Sequence, residues 1–346
     1  MRKKLLTSTL IGALIILAVI VAVATAGCGT NLQASAQAQA GPAGAQEILT
    51  KALASSGSIT SGNGDFNVSV SINGDTAKMP AGAQAFLGKP ITLSGTFAAS
   101  ENPQAAEATI NASIAGQDIP VGLKAVDDKA WIQFMGQWYE VPADALGGTT
   151  GTTAKEPDMA GILKALTAAG VDPTTWMIDL KVVGEDSIDG TPTYHLSGTI
   201  DMNKIMTDAV KLMQDKTIQG MLPSLGSGMM GATGSSLAIP SQQDLQGLES
   251  QLGAMFKNMT LDMWITKDTY QLRQAELNAS IVPPAGQDAQ GINSIDIKAT
   301  ASMAPATAPL TVTPPADAKP FSELEQSLGA LQGLFSGALG GGTLGQ

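Results

Sequence analysis

Cysteine and histidine are almost missing from this 346-residue chain, which contains one of each. The single cysteine, Cys28, cannot form a disulfide bond within the chain, so the fold must be stabilised by packing. One cysteine and one histidine also cannot supply the usual ligands of a zinc site. The sequence has no Gly-x-Ser-x-Gly elbow and no glycine-rich nucleotide loop between a strand and a helix. We therefore expect neither enzymatic activity nor a cofactor.

Charge is also scarce, since charged residues make up 14% of the chain and give a net charge of −11. Nucleic-acid binding needs a basic stripe, so nucleic acid is excluded as a partner. Electrostatic attraction to anionic headgroups at a membrane surface needs clusters of Lys and Arg, which argues against that mode as well. Aromatic residues reach only 4%, but a hydrophobic content of 44% is sufficient for a core.

The N-terminus carries an export signal. Residues 1–4 are positively charged, an uncharged apolar run follows from Leu5 to Ala26, and Gly27 precedes Cys28. A lone cysteine at this position resembles the lipobox of bacterial lipoproteins. The resemblance implies that residues 1–27 are removed as a signal peptide and that Cys28 carries a diacylglycerol. The mature chain would then be lipid-anchored on the extracytoplasmic face of the cell membrane.

Two other interpretations of this segment remain open. Thr25 stands where the lipobox usually has leucine, and Ala24-Thr25-Ala26 would also serve ordinary signal peptidase. The apolar run is also long enough to span a bilayer uncut, since about 20 residues suffice. All three interpretations place the bulk of the protein outside the cytoplasm.

Beyond the signal, the mature chain is long enough for one large or two small domains. Residues 28–45 are small and polar and indicate a flexible tether. Residues 46–320 form a single predicted domain, and residues 321–346 a short amphipathic helix with a Gly-rich tail. Apolar residues alternate with polar ones from Phe66 onwards, which is typical of an antiparallel meander with one apolar face. Apolar stripes predict helices at 203–222 and 242–258, separated by a Met/Gly-rich loop.

Three segments of this pattern resemble one known family. They are residues 119–141, with Trp131 and Trp138-Tyr139; residues 181–200, with Val-Gly-Glu, Asp-Gly and Tyr-His; and residues 261–273, with Trp-Ile and Leu-Arg. The chain resembles the mycobacterial LppX/LprG-type lipoproteins, whose fold is similar to that of the periplasmic lipoprotein carriers. The resemblance implies an α+β fold, in which helices cover the concave face of a strongly curved antiparallel half-barrel. It also implies an apolar cavity that binds a lipid or glycolipid. Transport of that ligand is a candidate function, and a membrane transporter is a candidate partner.

Two residue types fit such a cavity. Alanine occupies seven predicted inward positions: Ala108, Ala112, Ala125, Ala275, Ala279, Ala299 and Ala301. Methionine is frequent where helices would cover the sheet, and its flexible side chain adapts to varied apolar ligands. The predicted lid or lining residues are Met206, Val210, Met213, Met255 and Phe256. The same residues could instead fill an ordinary core.

A second interpretation needs no lipid. The chain could be a non-catalytic envelope module that binds a protein partner or senses the state of the envelope, and its sheet would then be packed shut. The remaining polar and aromatic features favour structural roles. His195 is predicted on the wetter face of a strand, and Glu185, Asp186 and Asp189 surround a turn that ends at Gly190. The tryptophans Trp131, Trp138, Trp176 and Trp264 are predicted in strands, as core anchors or at a cavity mouth.

Overall fold

The computed structural model describes residues 44–55, 61–79, 84, 86–101, 103–114, 116–127, 129–142, 166, 169–214, 255–283, 291–306 and 308–326. Helix α1 spans Ala45–Ser55 and helix α2 spans Met202–Gln214. The strands are β1 Ser61–Gly74, β2 Ile91–Glu101, β3 Gln104–Ile114, β4 Gln117–Val126, β5 Lys129–Phe134, β6 Gln137–Val141, β7 Met177–Ile188, β8 Thr191–Ile200, β9 Phe256–Thr266, β10 Leu272–Ile281, β11 Ile292–Pro305 and β12 Lys319–Pro320. Residues 173–176 form a 3₁₀ helix, and residues 321–326 are helical.

All twelve strands belong to one open sheet, in the order β12-β6-β5-β4-β3-β2-β1-β11-β10-β9-β8-β7. Strands β1–β6 form one antiparallel meander and β7–β11 form another. The two meanders are joined where β1 pairs with β11, from Gly62 opposite Pro305 to Gly74 opposite Ile292. The predicted α+β half-barrel is confirmed, with one difference: the short β12 runs parallel to β6, so the sheet is mixed.

Alternation along the strands gives the sheet two chemically different faces, as the sequence predicts. Val68 and Val70 point to the side on which both helices pack, which we call the concave face. Asn67 and Ser69 point to the other side, the convex face. The pairing register places all seven predicted inward alanines on the concave face; Ala299, for example, lies between Val68 and Leu277.

Two clusters of buried residues attach the helices to the concave face. Residues of α1 pack on β8 and β9, around the fully buried side chains of Ile48, Leu196 and Ile265. At the start of α2, Met202 packs on β1 and β9–β11, in the cluster that contains Leu277. Both clusters lie against the β8–β11 half of the sheet and the adjoining strand β1.

Two predicted elements are wrong in detail. Trp176 lies in the 3₁₀ helix Pro173–Trp176 and not in a strand, because Pro173 begins a turn that the Asp172 side chain caps by accepting from the Thr174 amide. The helix predicted at 242–258 has ended by Phe256, the first residue of β9, which pairs with Ile281. The apolar spacing of Met255 and Phe256 fits a helix and a buried strand equally well.

Several predictions fall outside the described residues: the signal 1–27 with Cys28, most of the tether, the loop between the two predicted helices, and the tail after residue 326. Within the part of the chain that the structure describes, no helix has the length and apolar character to cross a membrane.

Candidate functional site

A cavity of about 460 Å³ opens on the concave face, near the first residues of β1 and the last residues of β11. Its lining includes three-residue stretches of four neighbouring strands: 63–65, 96–98, 107–109 and 302–304. The middle residues of these stretches are Gly64, Phe97, Ala108 and Met303, and the register places all four on the concave face. The concave-face floor of the cavity is therefore apolar, with two small residues, whereas the flanking positions of the lining are mostly polar.

Glycine at position 64 lets the Phe97 ring fold over the neighbouring strand. A Cβ on Gly64 would lie 2.7 Å from the Phe97 ring and 2.0 Å from the Ser302 carbonyl oxygen. Real Cβ atoms are essentially never found this close to another heavy atom. A side chain at this position would therefore displace the wall of the cavity.

Four charged residues line the cavity, Asp65, Glu107, Asp189 and Arg273, and of these Arg273 is the buried one, only 7% exposed. A register irregularity between Leu272 and Gln274 sets its place at the start of β10. Its Nη2 lies 3.7 Å from Oδ2 of Asp189, whose side chain is 83% exposed. The Arg273 Nε is buried and has no hydrogen-bond partner among the residues that the structure describes. A buried donor without an acceptor is rare and needs an explanation.

The concave surface stays apolar beyond the cavity. Leu93 on β2 lies opposite Ala112, and Leu123 on β4 lies opposite Ala108. The two leucines are 38% and 40% exposed. Small residues on β3 between large ones on β2 and β4 thus leave a shallow apolar surface that continues from the cavity.

Three of the five predicted lid or lining residues meet at the other end of the concave face. Met206, Met255 and Phe256 are partly buried and pack against the cluster around Met202 and Leu277. Val210 and Met213 belong to α2, but their side chains lie outside the described part of the structure. The structure thus brings Met206 together with Met255 and Phe256, away from the residues that line the cavity.

A charged network fixes α2 to the chain before it. The buried carboxylate of Asp208 accepts hydrogen bonds from the indole of Trp176 (2.9 Å), from Lys211 (2.9 Å) and from Lys204. Burial alone would raise the pKa of Asp208, but these three donors outweigh it and lower the pKa to about 2. Asp208 is therefore ionised over the whole neutral range.

The convex face carries a separate polar cluster. The His195 ring stacks on Trp264 at 4.4 Å and its Nε2 lies 3.0 Å from Asp262. Trp264 in turn donates to Asp186, whose pKa is lowered by hydrogen bonds from the Ser187 amide and this indole. The predicted placement of His195 on the face opposite Tyr194 and Leu196 is confirmed.

The carboxylates around the β7–β8 turn bind three different partners. Glu185 pairs with Lys267, Asp186 accepts from Trp264, and Asp189 faces Arg273. Asp189 and Gly190 both have positive φ, of 49° and 78°, so the turn is tight and holds Asp189 at the rim of the cavity.

The C-terminal stretch 308–320 crosses the convex face of the β1–β6 meander. Lys124 donates to the carbonyl of Thr313 and lies 5.4 Å from the centre of the Trp138 ring. Trp131 points to this same face and is buried. The tryptophans of β5 and β6 therefore support the outside of the sheet and not the mouth of the cavity.

No protein-family model matches the sequence, and neither does any curated protein. Solved structures do match. The lipoprotein LppX of Mycobacterium tuberculosis is 15% identical, with a TM-score of 0.32, over 78% of this chain and 98% of that one. LprF of Mycobacterium bovis is 15% identical, with a TM-score of 0.32, over 79% and 97%. A LolA-superfamily protein of Nitrosomonas europaea is 10% identical, with a TM-score of 0.20, over 79% and 96%.

The matched structures thus include two mycobacterial lipoproteins of the type that the sequence resembles. At such identities and TM-scores they carry no information about the ligand. The residues that distinguish the site are therefore those of this chain, and Arg273 is one that the sequence analysis missed. Its only sequence signal is an arginine next to inward-facing Ala275 and Leu277, where an apolar residue is expected.

Proposed function

We propose that this protein is a lipid-anchored extracytoplasmic lipoprotein that binds a lipid or glycolipid in the cavity of its concave face and carries it. The observation behind this proposal is the cavity itself. Its volume of about 460 Å³ lies in the range of about 300–1,000 Å³ that is usual for small-molecule sites.

The apolar surface next to the cavity gives an acyl chain room to extend. Leu93 and Leu123 would be covered by such a chain, and each buried methylene contributes about 0.8 kcal/mol. Methionines at the α2 end, among them Met206 and Met255, would adjust to chains of different length.

Anchoring at Cys28 belongs to the same proposal. The lipidated cysteine would hold the protein at the membrane from which it takes its ligand. The tether would let the domain reach away from that membrane, towards a partner transporter or acceptor.

A second function, binding of a protein partner without lipid, has one observation in its favour. Strand β7 is an edge of the sheet and exposes three large apolar side chains: Ile178, Val182 and Val183. Exposed apolar edges are sites at which another chain can add a strand. This edge would serve an envelope module as well as a carrier that docks on a transporter.

Native mass spectrometry with lipid extraction separates the two functions. The protein, without residues 1–27 and with Cys28→Ser, would be recovered from bacterial lysate that contains membranes. The carrier function predicts a co-purifying lipid in a one-to-one ratio. A protein that stays free of lipid, and takes up no added phospholipid or glycolipid, would leave the envelope module as the better account.

A pair of variants tests the contribution of α2. Changing Val210 and Met213 together to Asp should remove the bound lipid if their side chains line the site or its lid. The matched control is Asn203→Asp with Thr207→Asp, which adds the same two charges at exposed positions of the same helix. Equal lipid occupancy in both variants would show that α2 is not part of the site.

A further inference from the structure

The cavity combines an apolar floor with one buried cation. We propose that Arg273 binds the anionic group, phosphate or carboxylate, of an amphiphile whose acyl chain lies over Phe97, Ala108 and Leu123. This inference rests on the proposed lipid-binding function and adds to it the chemical class of the headgroup.

The guanidinium has the donor arrangement that such a group needs. A guanidinium presents Nε and one Nη in parallel, which matches two oxygens of a phosphate or carboxylate. In Arg273 the Nε is buried without a partner among the described residues, although the side chain lines a cavity large enough for a ligand. An anion in the cavity would accept from the guanidinium, and from Nε once the side chain turns this buried donor towards the cavity.

Asp189 neutralises Arg273 only weakly in the structure. The 3.7 Å between Nη2 and Oδ2 exceeds normal hydrogen-bond length, and the carboxylate is mostly exposed to water. Exposed ion pairs contribute little, because the solvent screens them. Asp189 therefore acts as a replaceable counter-ion at the rim, which an incoming anion displaces towards solvent.

The other carboxylates near the cavity belong to the convex face. Asp65 and Glu107 alternate with Gly64 and Ala108, so their side chains leave the strands on the opposite side. Asp65 accepts a hydrogen bond there from Ser302. On the concave side of the cavity lining, Arg273 and Asp189 are the charged side chains among the described residues.

Binding of a headgroup by Arg273 differs from electrostatic attraction to a membrane surface, and the net charge of −11 disfavours only the latter. A single buried guanidinium selects a headgroup at short range, after the acyl chain has entered. The exposed rim at Asp189 marks the end at which the headgroup lies, and the apolar surface towards Leu123 marks the end for the chain.

The test compares two ligands that differ by one phosphate: 1-oleoyl-lysophosphatidic acid and 1-oleoylglycerol. Titration calorimetry on the full chain held in amphipol measures both dissociation constants, and glycerol 3-phosphate alone serves as a third ligand. We expect the phosphate-bearing lipid to bind roughly tenfold to a hundredfold more tightly than the neutral one. Arg273→Gln should remove that preference, so that the variant binds the two lipids with similar affinity.

Asp189→Asn should change the affinity in the opposite direction. Removal of the competing carboxylate should tighten lysophosphatidic acid binding about two- to fivefold, and asparagine tolerates the positive φ at this position. A merely structural ion pair predicts instead that both variants weaken binding together. Lys298→Gln, on the convex face, is the control and should have no effect.

The outcomes separate the two proposals. If neither lipid binds, the proposed carrier function fails. If both bind equally well, and equally to Arg273→Gln, the carrier function stands and the headgroup site is overturned. If glycerol 3-phosphate binds as tightly as lysophosphatidic acid, the site recognises a free phosphate ester and not a lipid.

Discussion

The two meanders share one topology but differ in how their concave faces are filled. On β8–β11 the concave positions carry buried residues such as Leu196, Ile265 and Leu277, and helices α1 and α2 pack on them. On β2–β4 the equivalent positions carry half-buried residues, with Leu93 and Leu123 more than a third exposed. The same alternating pattern thus builds a packed core in one half and an accessible apolar surface in the other.

The comparison shows that burial depends on the covering elements and not on strand patterning alone. Val68 on β1 and Leu93 on β2 are paired neighbours, yet Val68 is buried and Leu93 is not. The difference arises because the cluster under α2 reaches β1 and stops there. The boundary between core and binding surface therefore runs between β1 and β2.

The largest difference in stability is expected when the same truncation, leucine to alanine, is made once in each meander. Leu196→Ala removes a fully buried side chain and should lower the free energy of unfolding by about 2–5 kcal/mol. Leu123→Ala removes a side chain that is already 40% exposed and should cost less than about 1 kcal/mol. Urea denaturation followed by tryptophan fluorescence measures both. Equal losses would contradict the distinction between the halves.

The next largest difference is expected when a concave-face alanine is enlarged to leucine in each meander. Ala279→Leu overpacks a buried position on β10 and should destabilise the fold by about 1–3 kcal/mol. Ala108→Leu places the same extra volume in the cavity, so stability should change little while lipid occupancy falls. The two readouts are the urea midpoint and the mass of co-purified lipid. Retention of lipid by Ala108→Leu would place the ligand elsewhere.

Lowering the pH should reduce the stability of the packed half, because Asp208 becomes protonated. The pKa of this carboxyl is about 2 in the folded protein and 3.8 ordinarily, so the folded state favours the ionised form. Its contribution, roughly 2 kcal/mol, is present above about pH 4 and is lost as the pH falls towards 2. Urea midpoints measured between pH 2 and pH 6 should show this fall in the wild type and a smaller one in Asp208→Asn.

The control for Asp208 is Asp118→Asn, at an exposed position of β4. That variant should keep the wild-type pH dependence. An unchanged acid response in Asp208→Asn would show that the network of Lys204, Lys211 and Trp176 does not stabilise the attachment of α2.

The smallest effect is expected on the convex side of the open half. Lys124→Met removes the hydrogen bond to Thr313 and the cation–π contact with Trp138, and keeps the aliphatic stem. Because both contacts are partly exposed, the loss should stay below about 1 kcal/mol. Hydrogen exchange of residues 311–313 would report the loosening before a urea melt does. A loss of several kcal/mol would mean that the crossing stretch is part of the core.

Local periodicity predicted much of the fold. The strands, the two faces, the inward alanines and the convex position of His195 all follow from alternation along the chain. The pairing of β1 with β11 does not, because no local signal links residues so far apart. Phe256 was assigned to a helix because a short apolar run fits either period.

The site was less predictable than the fold. The predicted lid or lining residues Met206, Met255 and Phe256 pack against one cluster, whereas the described cavity lies at the opposite end of β1. Arg273 escaped notice because its significance depends on burial and on an unpaired Nε, which only coordinates reveal. Asp189 was recognised as a turn residue, whereas its approach to Arg273 depends on the curvature of the sheet.

The pairing of β1 with β11 also determines the order in which the protein can fold during synthesis. Strand β1 ends at Gly74 and its partner β11 begins only at Ile292, so this pairing cannot form until nearly the whole chain has been made. Until then two long hydrogen-bonding edges, β1 and β10, are open to strand addition by other chains. A ribosome that stalls before residue 292 would therefore release two half-sheets with exposed edges, a form suited to aggregation and to proteolysis.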